Sequence, residues 1–142
     1  MSKYKGFDLY DRDDELETKE GVDLRFPNKS VITILRAGGS NDKFNRAFSR
    51  ITKPFQRQLQ AGQLDKDTSD KLYAEVYAES VIVGWDGIET PDGEPVPFNK
   101  KNVIEFLIAM PEVFVEIRVR ADNIETFRRA EIAAEVENLG NV

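Results

Sequence analysis

The stretch VDLRFPNKSVITILR, from Val22 to Arg36, indicates how this chain begins to fold. Its first part alternates apolar and polar residues, which is typical of a strand with one buried face. The apolar positions are Val22, Leu24 and Phe26. Pro27 to Ser30 form a turn pattern, with proline at the second position of a type I turn, and the β-branched run Val31 to Ile34 predicts a second strand. Because a lone hairpin is marginally stable in water, helices must cover it.

Helical spacing of apolar residues begins directly after this hairpin. Between Asn41 and Leu59 they recur every three or four positions, which predicts an amphipathic helix capped by Ser40 or Asn41. The apolar positions are Phe44, Ala47, Phe48, Ile51, Phe55 and Leu59. Pro54 removes an amide donor and crowds the preceding turn, so we expect this helix to be kinked or split near Thr52.

Three further helices are expected downstream. Asp67 is the predicted cap of the second helix, and Gly84 its predicted stop. Asn99 is the natural N-cap of the next helix, where Phe98 and Val103 would form a hydrophobic staple. A last amphipathic helix is expected to begin at Asp122 or Asn123 and to close near Gly140.

Residues Val113 to Arg120, VFVEIRVR, fit two structures. Val113, Val115, Ile117 and Val119 alternate perfectly, which favours a strand, while Val113, Phe114 and Ile117 also fit one face of a helix. Pro111, just before this run, can serve as the first residue of a helix. Periodicity taken alone favours the strand.

These patterns together predict an α+β fold, a mainly α-helical single domain with an N-terminal β-hairpin. At 142 residues the chain has the size of one ordinary domain. Residues 1–20 are rich in acids and poor in apolar residues, so we expect an acidic, mobile N-terminal arm. Residues 21–142 would form the domain.

Composition excludes many chemistries. The chain has no cysteine and no histidine, which removes thiolate sites, the commonest general base and the usual zinc ligand. It has no Gly-rich phosphate loop or metal-ligand spacing, and the carboxylates Asp11, Asp13, Asp14 and Glu15 lie in the segment expected to be least rigid. We therefore expect no enzyme activity, cofactor or metal. A net charge of −6 argues against a nucleic-acid partner, and the short apolar runs argue against a membrane-spanning helix. The N-terminal residues suggest no secretory signal, and the lack of cysteine fits a reducing, cytoplasmic setting.

Positive charge is concentrated on the first helix. Five bases follow helical spacing beside its apolar stripe: Lys43, Arg46, Arg50, Lys53 and Arg57. They are either a solvated outer face or a docking surface for an acidic partner, and the sequence leaves both open.

The only tryptophan, Trp85, lies in a loop rich in glycine, proline and acids. Such a ring either stacks on a ligand or holds the loop against the core, and the ordered turn TPDGE together with the Phe98 staple favours the second role. Four acids share the loop: Asp86, Glu89, Asp92 and Glu94. Their spacing fails the pattern of an EF-hand, so we expect a solvated acidic loop.

The order of VIVGWDGI, DGEPVPFNKKNV and LIAMPEVFVEI resembles the small tail-assembly chaperones of long-tailed, siphovirus-type bacteriophages, over most of the chain. The matching residues are Gly84, Trp85, Asp92, Gly93, Pro97, Phe98, Asn99, Asn102, Phe106, Leu107 and Pro111. Each element is short, so the specificity lies in their order. The resemblance implies that residues 113–120 are helical, and we adopt that expectation.

The resemblance also implies a function in virion assembly. Such chaperones coat the helical tape-measure protein in the host cytoplasm, keep it soluble and are absent from the mature virion. In many members a ribosomal frameshift yields a longer form whose extension recruits tail-tube protein. Chaperoning many client segments favours several copies, so we expect a homo-oligomer. The alternative is a virion structural protein of the tail or neck, a tail-completion or connector subunit, with the same size and acidity.

Overall fold

The computed structural model describes residues 2–140 and shows an α+β single domain. Strands β1 (Val22–Arg25) and β2 (Val31–Ile34) form the N-terminal hairpin, and β3 (Ile82–Asp86) pairs with β2. The sheet has three antiparallel strands in the order β1-β2-β3. The predicted fold class and the hairpin are confirmed.

The described residues also form six α-helices. Their bounds are α1 Asp42–Thr52, α2 Gln56–Gln60, α3 Lys66–Ser80, α4 Lys100–Ala109, α5 Pro111–Asp122 and α6 Arg129–Gly140. Short 3-10 turns cover Asp8–Tyr10, Lys53–Phe55 and Ile124–Phe127, and a π turn covers Leu16–Glu20. The predicted break at Pro54 is confirmed, because α1 ends at Thr52 and a 3-10 turn carrying Pro54 separates it from α2.

The core lies between one face of the sheet and the helices. Leu24, Ile32 and Trp85 are register partners across the three strands, so they share that face. Helix α3 crosses the core between α1 and α4, to both of which it packs. The largest fully buried apolar side chains are Leu16, Ile32, Ile34, Val76, Val81, Val103, Leu107, Ile117 and Phe127.

The second helix differs from the sequence prediction at both ends. Asp65, not Asp67, caps α3, since its carboxylate accepts a hydrogen bond from the backbone N–H of Thr68 at 2.9 Å. The helix ends at Ser80, and Gly84 lies inside β3. Helical periodicity continues through Val81, but β2 has an open edge that only a further strand can pair. Tertiary pairing therefore overrides the local helical pattern.

Residues 113–120 are helical, as the resemblance implied, and the strand reading of their alternation is wrong. Phe114, Ile117 and Ala121 are the buried residues of α5, at spacings of three and four. Val115 and Val119 alternate with them only because they lie on the exposed side of the helix.

The N-terminal segment divides into an exposed part and a packed part. Side chains of residues 3–12 are exposed, whereas Leu16 and Glu17 are buried. The Glu17 carboxylate accepts hydrogen bonds from Arg36 Nη1 at 3.0 Å and from the Ser40 backbone N–H at 2.8 Å. The composition placed the end of a mobile arm at residue 20, but packing begins earlier, at Leu16 and Glu17. Glu17 can be buried because Arg36 neutralises its charge.

We expect Glu17→Ala to destabilise the protein by about 3–5 kcal/mol, because it leaves Arg36 and the Ser40 N–H without their acceptor. Urea denaturation followed by circular dichroism measures this loss. Glu15→Ala, at an exposed neighbouring position, is the control and should change the stability by less than about 0.5 kcal/mol. Equal midpoints for the two variants would contradict the role of the ion pair.

The hairpin turn contains a strained residue. Lys29 donates its backbone N–H to the carbonyl of Phe26 at 2.9 Å and has a φ of 71°, in the left-handed region. The loop turn TPDGE repeats this geometry, since Gly93 donates to Thr90 at 2.8 Å with a φ of 86°. Glycine adopts this conformation without cost, whereas lysine does not.

Lys29→Gly is therefore expected to stabilise the protein by about 0.5 kcal/mol. Glycine relieves the backbone strain of the folded state, and this gain exceeds the loss that arises because glycine adds entropy to the unfolded chain. Lys29→Ala retains the Cβ atom and should bring no gain. Gly93→Ala should lose stability because it introduces the strain in the second turn. Denaturation midpoints of the three variants measure these effects, and an equal gain for Lys29→Ala would show that strain is not the cause.

Candidate functional site

The five predicted basic residues lie along the outer face of α1, the following 3-10 turn and α2. Arg50 forms an ion pair with Glu79 of α3, which Lys100 of α4 also approaches at 3.8 Å. The other four have exposed side chains and no ion pair among residues 2–140: Lys43, Arg46, Lys53 and Arg57. One base of the stripe is thus a structural link between helices, and four present positive charge to solvent.

An open apolar groove of about 420 Å³ lies between α1 and α5, which we call the α1–α5 groove. Its lining residues are Ala37, Phe44, Tyr77, Val115, Arg118, Val119 and Asp122. Val115 and Val119 are 43% and 62% exposed and stand one helical turn apart. Sequence reasoning missed this groove, because its lining residues come from separate parts of the chain that only the tertiary arrangement brings together.

The floor of the α1–α5 groove is rigid and aromatic. The Tyr77 ring packs edge-on against Phe44 at 5.8 Å and against Phe114 at 5.2 Å between centroids. Arg118 stands over the Phe114 ring at 4.6 Å. Burial raises the pKa of Tyr77 to about 12, which keeps its hydroxyl neutral well beyond physiological pH. The groove therefore offers an uncharged aromatic floor, with a cation, Arg118, and an anion, Asp122, among its lining residues.

Trp85 is partly buried on β3 and holds the following loop. Its indole Nε1 donates a hydrogen bond to the Val96 carbonyl at 3.0 Å. Its ring packs edge-on against Phe98 and Phe106, with centroids 5.5 and 5.6 Å away. Phe98 thus has Trp85 as an aromatic partner, and its staple to Val103 stays a prediction.

Asn99 joins the same loop to α4. Its side-chain oxygen accepts the backbone N–H of Asn102 at 2.8 Å, and the Asn102 amide donates to the Pro97 carbonyl at 2.9 Å. The entry into α4 is therefore fixed by two side-chain hydrogen bonds.

A second apolar groove, of about 430 Å³, lies between the hairpin turn and the junction of α4 with α5; we call it the turn groove. It is lined by Phe26, Pro27, Asn28, Ser30, Ile32, Ile88, Glu89, Phe106, Met110 and Val113. Ile88 and Glu89, in the loop after Trp85, form one wall of this groove, and Phe106 of α4, another lining residue, contacts the Trp85 ring.

The acidic loop does not gather its carboxylates into a site. Asp86, Glu89, Asp92 and Glu94 are exposed along a turn that is closed by the Glu89 and Pro95 bridge. Within residues 2–140 no group of three or more acidic side chains lies close enough to hold a metal ion. None of the helices in the same range is both long and apolar enough to span a bilayer.

The arrangement defines an α+β domain whose surface carries two grooves lined by apolar and charged side chains. The family described as YdaY prophage protein matches residues 39–138, well over half of the chain, and the chain belongs to this family. It is therefore a phage-derived protein. No curated protein and no solved structure shows significant similarity to it.

The Trp85 contacts give a graded expectation for stability. Trp85→Phe keeps an aromatic ring but removes the donor to Val96, which should cost about 1 kcal/mol. Trp85→Ala also removes the packing against Phe98 and Phe106 and should cost about 3 kcal/mol. Urea denaturation followed by circular dichroism measures both. Phe7→Ala, at an exposed ring, is the control, and a Trp85→Ala midpoint equal to that of the control would contradict the structural role.

Proposed function

We propose that this prophage protein is a non-catalytic tail-assembly chaperone that binds the tape-measure protein, keeps it soluble and helps to recruit tail-tube subunits. The observation that carries the proposal is the exposed apolar α1–α5 groove. A groove with helical walls suits an amphipathic helix, which lays its apolar face between them. In the phages whose tail-assembly chaperones this chain resembles, the tape-measure protein is long and helical.

The valines of α5 would supply the apolar contact. Val115 and Val119 are exposed although a folded monomer gains nothing from their exposure. The two valines lie four residues apart, one turn along α5. A client helix that lies along α5 presents its own apolar side chains at the same spacing, i and i+4, so the two sets can pack together. Covering them would remove apolar surface from water in the bound state alone.

The bases of α1 and α2 would guide the client. The protein is acidic overall, so four exposed bases on one side make its charge distribution asymmetric. Such asymmetry raises the rate at which oppositely charged segments associate and contributes less to final affinity. Lys43, Arg46, Lys53 and Arg57 therefore suit acidic segments of the client.

Binding without catalysis agrees with the positions of the N-terminal carboxylates. Asp13 accepts hydrogen bonds from Arg129 Nε at 2.9 Å and from the Leu16 backbone at 3.1 Å, and Asp14 accepts one from the Ser40 hydroxyl. These contacts are structural. The proposal further places the protein in the host cytoplasm and outside the mature virion, with tube recruitment through a frameshifted longer form.

Co-expression with the tape-measure protein of the same prophage tests the proposal. Wild type should keep the client in the soluble fraction. Arg46→Glu/Lys53→Glu/Arg57→Glu should lower the soluble client severalfold, because it reverses the charge that attracts acidic segments. Arg50 is left unchanged, since a glutamate there would face Glu79 and affect the fold. Lys19→Glu/Lys71→Glu/Lys101→Glu is the matched control, with the same charge change at other exposed positions.

The groove is tested in the same assay. Val115→Glu/Val119→Glu should release the client into the insoluble fraction, while Val136→Glu/Leu139→Glu on α6 should retain it. Circular dichroism checks that each variant is folded. Unchanged client solubility in both test variants would contradict the chaperone role, and detection of the protein in purified mature particles by mass spectrometry would favour a virion structural subunit.

A further inference from the structure

The N-terminal segment, residues 2–12, exposes four large apolar side chains, and its backbone bonds to the rest of the domain at Leu9. Tyr4, Phe7, Leu9 and Tyr10 are 56–73% exposed. The Leu9 carbonyl accepts a hydrogen bond from Arg128 Nη2 at 2.7 Å, and Tyr10 donates its backbone N–H to Phe7 at 2.9 Å. So many uncovered apolar side chains within seven residues mark an interaction surface.

The turn groove is a second surface with apolar walls. Its walls come from the hairpin turn, from Ile88 in the acidic loop and from Phe106, Met110 and Val113 at the α4–α5 junction. Its volume lies within the roughly 300–1,000 Å³ of sites that enclose small ligands, enough to accept aromatic side chains.

The charges beside the two surfaces are mostly opposite in sign, the exceptions being Asp8 directly after the segment and Lys29 in the hairpin turn. Residues 2–7 carry Lys3 and Lys5 and no acid. The acidic loop that walls the turn groove carries four acids and no base from Asp86 to Glu94, and Glu89 itself lines the groove. Lysines beside the aromatic rings would thus meet carboxylates beside the groove.

We propose that residues 2–7 of one copy dock in the turn groove of a second copy, with Tyr4 and Phe7 as the inserted side chains. The occupant is a second copy because the segment's own body is attached elsewhere, through Leu9 to Arg128 and through Asp13 to Arg129. The two surfaces are different patches, so two copies can dock reciprocally as a closed dimer, or each copy can bind two others head-to-tail.

The proposed contact buries little surface area and is therefore weak. Two inserted aromatic side chains bury about 150–250 Å² each, which gives an interface below the roughly 1,200 Å² of stable complexes. The assembly therefore forms and dissociates with protein concentration. It shares no lining residue with the α1–α5 groove and needs no client, so its failure would leave the chaperone proposal intact.

Sedimentation velocity of the full chain at concentrations from about 1 μM to about 1 mM tests the proposal over the range of weak association. Wild type should shift from monomer to larger species as the concentration rises. Tyr4→Ser/Phe7→Ser and Met110→Lys should each need at least about tenfold more protein for the same shift. Val136→Ser/Leu139→Ser and Ile108→Lys change equally exposed side chains outside both surfaces and should behave as wild type.

A mixture of the two test variants identifies the geometry. Met110→Lys retains an intact segment and Tyr4→Ser/Phe7→Ser an intact groove, so one productive contact remains and the mixture should form dimers that do not grow further. Raised salt should weaken wild-type association, since the lysine and carboxylate charges are solvent-exposed. A wild type that stays monomeric at all concentrations, test variants that associate normally, or a mixture without dimers would each overturn the proposal.

Discussion

The attachment of the N-terminal segment to the domain depends on the buried carboxylate of Glu17. It accepts hydrogen bonds from Arg36, at the end of the hairpin, and from the backbone of Ser40, just before α1. The chain passes close by at Gly39, where a Cβ atom would approach the carboxylate oxygen to 2.5 Å and where φ is +55°. Ala37 in this connection donates to the Ala121 carbonyl at the end of α5, so one ion pair organises the meeting point of segment, sheet and two helices.

Helix α5 faces the core, the turn groove and the α1–α5 groove, and this explains its unusual composition. Phe114, Ile117 and Ala121 enter the core, Val113 lines the turn groove, and Val115 with Val119 line the α1–α5 groove. A helix with apolar residues on nearly all sides is normally buried in a large protein. Here the additional apolar sides are open in the monomer, which is why the helix is the structural link between the two proposed binding surfaces.

Local patterns predicted the elements whose cause is local. The hairpin follows from alternation and a proline turn, the division of α1 from α2 follows from Pro54, and both could be located from the sequence. Strand β3 could not, because its pairing with β2 is a long-range contact that competes with a continuing helical pattern. The same holds for Glu17, whose burial depends on Arg36 and Ser40 arriving from elsewhere. The basic stripe was visible from its spacing, but Glu79, the partner of Arg50, and both grooves required the tertiary arrangement.

Trp85 gives the molecule a built-in optical probe. It is the single tryptophan of the chain, and its ring touches Phe106, which also forms a wall of the turn groove. Its partial burial and its hydrogen bond to Val96 make its emission sensitive to how much water reaches the indole. Trp85 does not itself line the groove, so a bound group influences its ring through Phe106. A change in intrinsic fluorescence would therefore report movement of Phe106 at the turn groove without a label, whereas the α1–α5 groove, floored by Tyr77, has no tryptophan among its lining residues.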